Sequence, residues 1–273
     1  MKGTIAMTVE NSHILHHAVK ILDCFSQEQP ELGVREVARM ANLSSSAAGR
    51  LMLSMKDLGI LNQNPSTKTY SLGSRVLTWA GVYLTNSDIR ITALPYLQEL
   101  HQSTQETISL YILDGNERVC IERLESPQNV RIVARLGRRL PLYAGSAGKV
   151  FLAFMKPQQC ERILTATPLV PLTSKTIVDL YALQLEFEKI RIEGYAVSRG
   201  EWLLDASGVA APIYDATGEI TAVLTISGPS QRFTDEVIAR YAQVVTSQAL
   251  QISLSLGYRQ PRQAQPIQPP VRS

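Results

Sequence analysis

Apolar residues first recur at helical spacing in His13–Gln27, where Ile14, Ala18, Ile21, Leu22 and Phe25 share a face. Asn11 or Ser12 can cap this segment. Gln29-Pro30 ends it, because the residue before a proline avoids helical angles. Val34–Ala41 predicts a second, short helix with Val37, Ala38 and Ala41 inward. After a turn at Asn42-Leu43 a third helix is predicted as far as Leu58. The Ser44 side-chain oxygen caps its start, and Gly59 closes it by entering the left-handed conformation cheaply. Ala48, Leu51, Met52, Met55 and Leu58 form its apolar stripe, with Ser45, Ser46, Gly49, Arg50 and Leu53 off it. Ile60-Leu61, the polar run Asn64–Lys68 and Thr69–Gly73 then predict strand, turn and strand. Helices joined by a tight turn and followed by a hairpin give the order of a winged helix-turn-helix.

Ser74–Asn86 is helical and apolar almost all round through Val76, Leu77, Ala80, Val82 and Tyr83, with Trp79 among them. Such a helix is either deeply buried or shared between chains. From Asp88 the texture changes. A helix over Ile89–Gln102 precedes strands at Thr107–Leu113 and Val119–Leu124, which flank the hairpin turn Asp114-Gly115-Asn116-Glu117. Val130–Leu136 predicts another strand. Helices are expected at Ser146–Met155, Lys156–Leu164 and Ile177–Glu193, and strands at Tyr195–Arg199, Gly208–Tyr214 and Ile220–Ser227. Thr234 caps a last helix that runs towards Leu256. The fold class is α+β in two domains, with helices on an antiparallel-rich sheet in the second. The boundaries are a flexible arm at 1–12, a winged helix-turn-helix at 13–73, a linker helix at 74–87, the α+β domain at 88–256 and a disordered tail rich in Pro, Gln and Arg at 257–273.

The 273 residues accommodate two ordinary domains, and no segment has the length and apolarity of a membrane span. The N-terminus lacks a signal-peptide pattern, and Cys24, Cys120 and Cys160 are too few and too far apart for a disulfide framework or a zinc site. A cytoplasmic protein without membrane partner or metal is expected. Residues 1–85 hold 8 Lys/Arg against 6 Asp/Glu, so charge alone does not argue for nucleic acid. The DNA case rests on pattern. A helix entering the major groove needs small residues where backbones approach, and hydroxyls or Arg to reach phosphates and base edges. Ser44, Ser45, Ser46, Gly49 and Arg50 supply these, and Lys68 at the wing tip suits a phosphate. An ordinary amphipathic helix with a solvated face, and a solvated turn lysine, remain the alternatives.

Leu140–Lys149 invites two enzyme readings and fails both. A phosphate-binding loop needs Gly at 143 and Ser or Thr at 150, where Tyr143 and Val150 stand. A nucleophile elbow needs Gly where Ala144 stands, and all four histidines (His13, His16, His17, His101) precede residue 102, leaving Ser146 without a general base. No catalytic residue and no cofactor are assigned. What remains is a Gly/Ala/Ser loop opening a helix. Either its free N–H groups hold an anion or carbonyl, or its small residues serve only tight packing. Arg131, Arg135, Arg138 and Arg139 either attract an anion or, the preferred reading, form a solvated strand edge.

Several motifs, in this order, resemble the IclR family of bacterial transcriptional regulators: Tyr70-Ser71-Leu72-Gly73, Leu140–Lys149, Gly194-Tyr195-Ala196-Val197, Ala210-Ala211-Pro212 and Ile226-Ser227-Gly228-Pro229. The match runs from about His13 to Leu256. The resemblance implies a winged helix-turn-helix, a linker helix and a GAF-like effector domain, acting on operators as a dimer or tetramer. It implies that Ser45, Ser46 and Arg50 face DNA, and that Ser146, Ala147, Ser198, Gly208, Thr225 and Ser227 line an effector pocket. Trp202, beside Glu201, reads as a lid or wall of that pocket. Members that bind small oxo-acids carry Asp where Ser198 stands and Cys where Gly208 stands, so a roomier, differently charged pocket is expected. Asp205, Gly49 and Ala47 also depart from the family pattern.

The expected function is a ligand-responsive transcription factor, a repressor in sign. It controls catabolic genes through double-stranded operator DNA and a small organic-acid or aromatic effector, as a homodimer or homotetramer. The competing class is a small-molecule hydrolase with a helix-turn-helix appendage. A winged domain that binds protein is a further alternative.

Overall fold

A computed structural model describes residues 13–26, 28–85, 88–132 and 135–259. The caps expected at Asn11 or Ser12, the arm at 1–12 and most of the C-terminal tail lie outside these. The chain divides into two units, Met1–Asn86 and Ser87–Ser273.

In the first unit, helix α1 covers residues 13–22, shorter than the apolar period suggests. Ile21 is buried but Ile14 is 50% exposed, and Phe25 lies past the helix end. Helix α2 is Val34–Ala41, with Val37, Ala38 and Ala41 buried. The Glu36 carboxylate accepts the Gly33 N–H at 2.8 Å, and Asn42 ends the helix in the left-handed region. Helix α3 is Ser45–Asp57. Ser44 Oγ accepts the Ala47 N–H at 3.2 Å, and Gly59 takes φ +72°. Ala48, Met52 and Met55 pack inward, whereas Leu58 is 52% exposed and leaves the expected stripe. As the helix's last, capping residue it falls beyond the turn that touches the core. The wing is an antiparallel pair, β1 (Leu61–Gln63) with β2 (Tyr70–Leu72). Leu32 bridges Tyr70 through two backbone hydrogen bonds of 2.9 and 2.8 Å, which ties the wing to the segment before α2. Helix α4, Arg75–Thr85, completes this unit.

The second unit begins with α5 (Asp88–Thr104) and the hairpin β3 (Thr107–Asp114) and β4 (Glu117–Leu124). Gly115 takes φ +64° in its turn. No strand forms over 130–132 or at 135–136. The backbone there is engaged by side chains instead: Arg123 and Thr107 both donate to the Ile132 carbonyl, and Arg232 to that of Val130. The strand that pairs with β4 is β5, Arg139–Pro141. It is followed by α6 (Ser146–Phe154), α7 (Pro157–Ala166) and α8 (Leu180–Glu193). Asp179 caps α8, accepting the Ala182 N–H at 2.8 Å, so the helix starts later than Ile177. Strands β6 (Ala196–Arg199), β7 (Ala206–Tyr214) and β8 (Ile220–Pro229) lead to a short 3-10 turn and α9 (Asp235–Ser255), whose cap is Thr234.

The strands form one antiparallel sheet in the order β5-β4-β3-β8-β7-β6. Alternation sorts its side chains into two cores. Val209, Ala211, Leu224 and Ile226 pack with Ala93 and Leu97 of α5 and Val245 of α9. Ala196, Ala210 and Val223 pack with Val150 and Phe151 of α6 and Phe187 of α8. The unit is a GAF-like sheet with helices on both faces. The residues of the candidate site lie on the α6 face.

Candidate functional site

In the first unit, Ser44, Ser45, Ser46 and Arg50 are exposed along α3, and Gly49 is half-buried, where a Cβ would touch Val34 at 3.4 Å. Lys68 is exposed at the wing tip with φ +61°. The structure thus leaves the off-stripe face of α3 to solvent, with its hydroxyls at the N-terminal end, where the free N–H groups and the helix dipole favour an anion.

In the second unit the side chains sharing a face with Ala196, Ala210 and Val223 include Ser198, Gly208, Thr225 and Ser227. Ser198 pairs with Gly208 across β6 and β7, and Gly208 with Ser227 across β7 and β8, so three strands present one row beneath the start of α6. Gly145, at φ +84°, turns the chain from β5 into α6 and brings Ser146 and Ala147 over that row. A cavity of about 70 Å³ lies between, several times what one water needs. Ser146, Ala147, Ser198, Trp202, Gly208, Thr225 and Ser227 all line it. The missing side chain at 208 widens it little: a Cβ there would already stand 3.2 Å from Ser146 Oγ.

Arg118, Tyr111, Ser207 and Lys149 have places at or beside the cavity that the sequence reading did not assign. Arg118 and Tyr111 line it from β4 and β3, and Ser207 from β7. Arg118 is buried. Its Nη1 donates to the carbonyls of Pro141 and, at 2.7 Å, Ala144, fixing the loop before α6. Burial lowers the affinity of this guanidinium for its proton, against the raising influence of Tyr111 and Glu201. Burial pushes the Tyr111 phenol up, helped by Cys120 and opposed by Arg118 and Arg123. The fourth is Lys149, buried, with Nζ 2.7 Å from Glu201 Oε1, 3.0 Å from Glu186 Oε1 and 2.9 Å from the Val197 carbonyl. Glu201 Oε2 in turn accepts the Gly145 N–H at 3.0 Å. A buried ion pair therefore stitches the Trp202 loop to the start of α6. Thr173 and Thr176 hold the same loop by donating to the carbonyls of Gly200 and Glu201 at 2.5 and 2.7 Å. The Gly-Lys pair of the loop motif is legible in sequence, but that its lysine meets Glu201, 52 residues on, is not.

Arg138 stacks over the Trp202 ring at 4.8 Å, and Arg139 pairs with Asp114 and Glu117 at 2.7 and 2.9 Å. Only Arg139 of the four expected strand-edge arginines lies in a strand, β5. His101 lies on α5, across the sheet from Ser146, with Nε2 2.7 Å from the Glu125 carbonyl. Among the described residues no group of His, Cys, Asp and Glu could hold a metal ion, and no helix is long and apolar enough to cross a membrane.

A winged helix-turn-helix preceding a GAF-like unit with a cavity at this loop narrows the candidates, and comparison with known proteins decides between them. The family model of the IclR helix-turn-helix domain matches residues 15–65, and that of the bacterial transcriptional regulator IclR C-terminal domain matches 81–254. The chain belongs to the IclR family. It is a DNA-binding transcriptional regulator of the ligand-responsive kind. Among IclR relatives, the HTH-type transcriptional repressor AllR of Escherichia coli (strain K12) is 30% identical over 250 residues, covering 92% of each chain. The crystal structure of the Thermotoga maritima IclR superposes with a TM-score of 0.74 at 33% identity, covering 90% of this chain and all of that one. An IclR homologue from Microbacterium hydrocarbonoxydans, crystallised in complex with 4-hydroxybenzoate, matches with a TM-score of 0.76 at 28% identity, covering 89% of this chain and 98% of that one.

Proposed function

We propose that this IclR-family protein is an effector-controlled repressor of catabolic genes that binds a palindromic or nearly palindromic operator as a dimer or tetramer. Its effector, a small organic acid or aromatic catabolite, occupies the cavity at the start of α6. The observation that carries this reading is the convergence of Ser146, Ala147, Ser198, Trp202, Gly208, Thr225 and Ser227, from α6, three strands and a loop, on one cavity. The 4-hydroxybenzoate held by the Microbacterium homologue supports the effector class, and the repressor name of AllR supports the sign. A ligand changes DNA occupancy only by the difference in its affinity for two conformations. The strapped Trp202 loop, closing one wall of the cavity, is the element we expect to differ between them.

The DNA contacts are assigned to Ser44, Ser45, Ser46, Gly49 and Arg50 on α3 and Lys68 on the wing. Residues 13–73 form the operator-binding domain, 74–87 the linker and 88–256 the effector domain. Dimerisation is assigned to α4. Leu77 is 74% exposed on this helix, and Trp79 and Tyr83 are each 51% exposed, an apolar surface that a second copy would cover.

The test is a gel shift on DNA upstream of the protein's own gene and its neighbours, with salt titration and competitor DNA. A specific shift that a small acid or aromatic releases is expected. Ser146→Trp, which fills the cavity, should lose the release while still shifting the operator. A normal release by that variant moves the effector site elsewhere.

A further inference from the structure

One apolar side chain on α3 serves neither the core nor a hydrogen bond. Within Ser45–Asp57 the buried residues are Ala48, Met52 and Met55, with Leu51 partly buried against the same cluster. Leu53 is 48% exposed and stands outside that cluster. An exposed leucine is ordinary by itself. The position of this one distinguishes it. Ser46, Gly49, Arg50 and Leu53 recur at i, i+3, i+4 and i+7, so they form one stripe along the helix. Ser46, Arg50 and Leu53 are exposed, and Gly49 is half-buried at the edge towards Val34. From Ser46 to Leu53 the stripe rises about 10 Å, or roughly three base pairs of a helix lying in the major groove. Asp57, one turn beyond Leu53, is exposed on the same side. Its charge has the wrong sign for phosphate, so the stripe ends at Leu53.

The side chains of the stripe differ in what they can recognise. A serine hydroxyl donates or accepts, and an arginine donates to guanine O6 and N7. Leucine does neither. The apolar feature that a base pair presents in the major groove is the thymine 5-methyl group. A leucine on a helix leans back over the turn before it, here the turn that carries Gly49 and Arg50. Gly49 has no side chain to compete for that space, so Leu53 is directed towards the Arg50 end of the stripe. Against a polar base edge Leu53 would only strip water from hydrogen-bonding groups. Against a methyl group it removes apolar surface from water on both sides.

We propose that Leu53 is a specificity-determining residue of the operator contact and that it covers the 5-methyl group of a thymine. That thymine lies about one to two base pairs from the position that Arg50 meets, since three residues of helix rise about 4.5 Å. This inference rests on the assignment of the exposed face of α3 to DNA.

Deoxyuridine scanning tests it. The full-length protein first selects its operator from a pool of random duplexes. Each thymine of the selected half-site is then replaced singly by deoxyuridine, which removes the methyl group and keeps the base-pairing edge. Affinity is read by fluorescence anisotropy at fixed salt. Wild type should lose roughly three- to tenfold at one or two thymines, the order of one buried methyl group. Leu53→Ala should bind the thymine and uracil forms of those sites equally. Its salt slope should be that of wild type, because an apolar contact releases no counterion. A change in DNA shape on loss of the methyl group would act on both proteins alike and cannot imitate this pattern. Should Leu53→Ala not melt cooperatively, Leu53→Gln takes its place, keeping the length of the side chain without its apolar end. A selected half-site without thymine, a wild type indifferent to every replacement, or a methyl sensitivity that survives in the variant overturns the proposal and leaves the operator reading standing. A pool that yields no preferred sequence overturns that reading, and the inference with it.

Discussion

At the scale of the residue, the most constrained position is Gly148. A Cβ there would collide with the carbonyl of Leu142 and with Arg118 Nη1. One partner is backbone and the other is pinned by two hydrogen bonds, so neither yields easily. Gly148→Ala is expected to cost about 2 kcal/mol or more and to lower the melting temperature of the second unit by roughly 4–8 °C, as a thermal melt would read. A melting temperature within a degree of wild type would mean that the Leu142 loop relaxes freely. The glycine of a Gly-Lys pair invites comparison with phosphate loops. Here its role is steric: it lets a buried arginine pass beneath the helix start. Lys149 is similarly structural, its amine engaged by Glu201, Glu186 and the Val197 carbonyl.

At the scale of the element, α3 divides its labour by face. Ala48, Met52 and Met55 hold it to α1, α2 and the wing, while Ser45, Ser46 and Arg50 remain in solvent. Arg50 lies on the exposed face and adds nothing to the core, so Arg50→Ala should leave folding intact. It should cost roughly 1–3 kcal/mol in operator affinity if the guanidinium reads a base edge. If it contacts only phosphate, the loss is uniform across sequences and the salt slope falls by about one ion. Unchanged affinity in a gel shift at several salt concentrations would remove Arg50 from the contact set.

At the scale of the whole molecule, the proposed dimer is what the operator reading requires. A near-neutral DNA-binding unit gains little from charge, and two recognition helices one helical turn apart would supply what one lacks. Leu77→Glu puts a charge on the most exposed apolar position described on α4. The expected outcome is a monomer by light scattering and loss of the cooperative shift. A variant that stays dimeric places the contact elsewhere.

The sequence alone determined the local elements and their faces. Apolar spacing with Ser44, Asn42, Gly59 and Thr234 delimits helices, because caps and left-handed residues act within a few positions of the chain. Alternation along β8 puts Thr225 and Ser227 on one side of their strand, because side-chain direction in a strand has period two; that Gly208 shares that side is implied in sequence only by the family resemblance and is decided by the β7–β8 register. Where local pattern and long-range contact disagree, the pattern misleads: Val130–Leu136 reads as a strand, yet the carbonyls of Val130 and Ile132 are held by the side chains of Arg232, Arg123 and Thr107. Tertiary structure alone decided that Arg118 holds the Ala144 carbonyl 26 residues after it, that Lys149 reaches Glu201, and that Tyr111 lines the same cavity. Charge pairing and burial depend on distances in space between segments far apart in sequence. No periodicity records them.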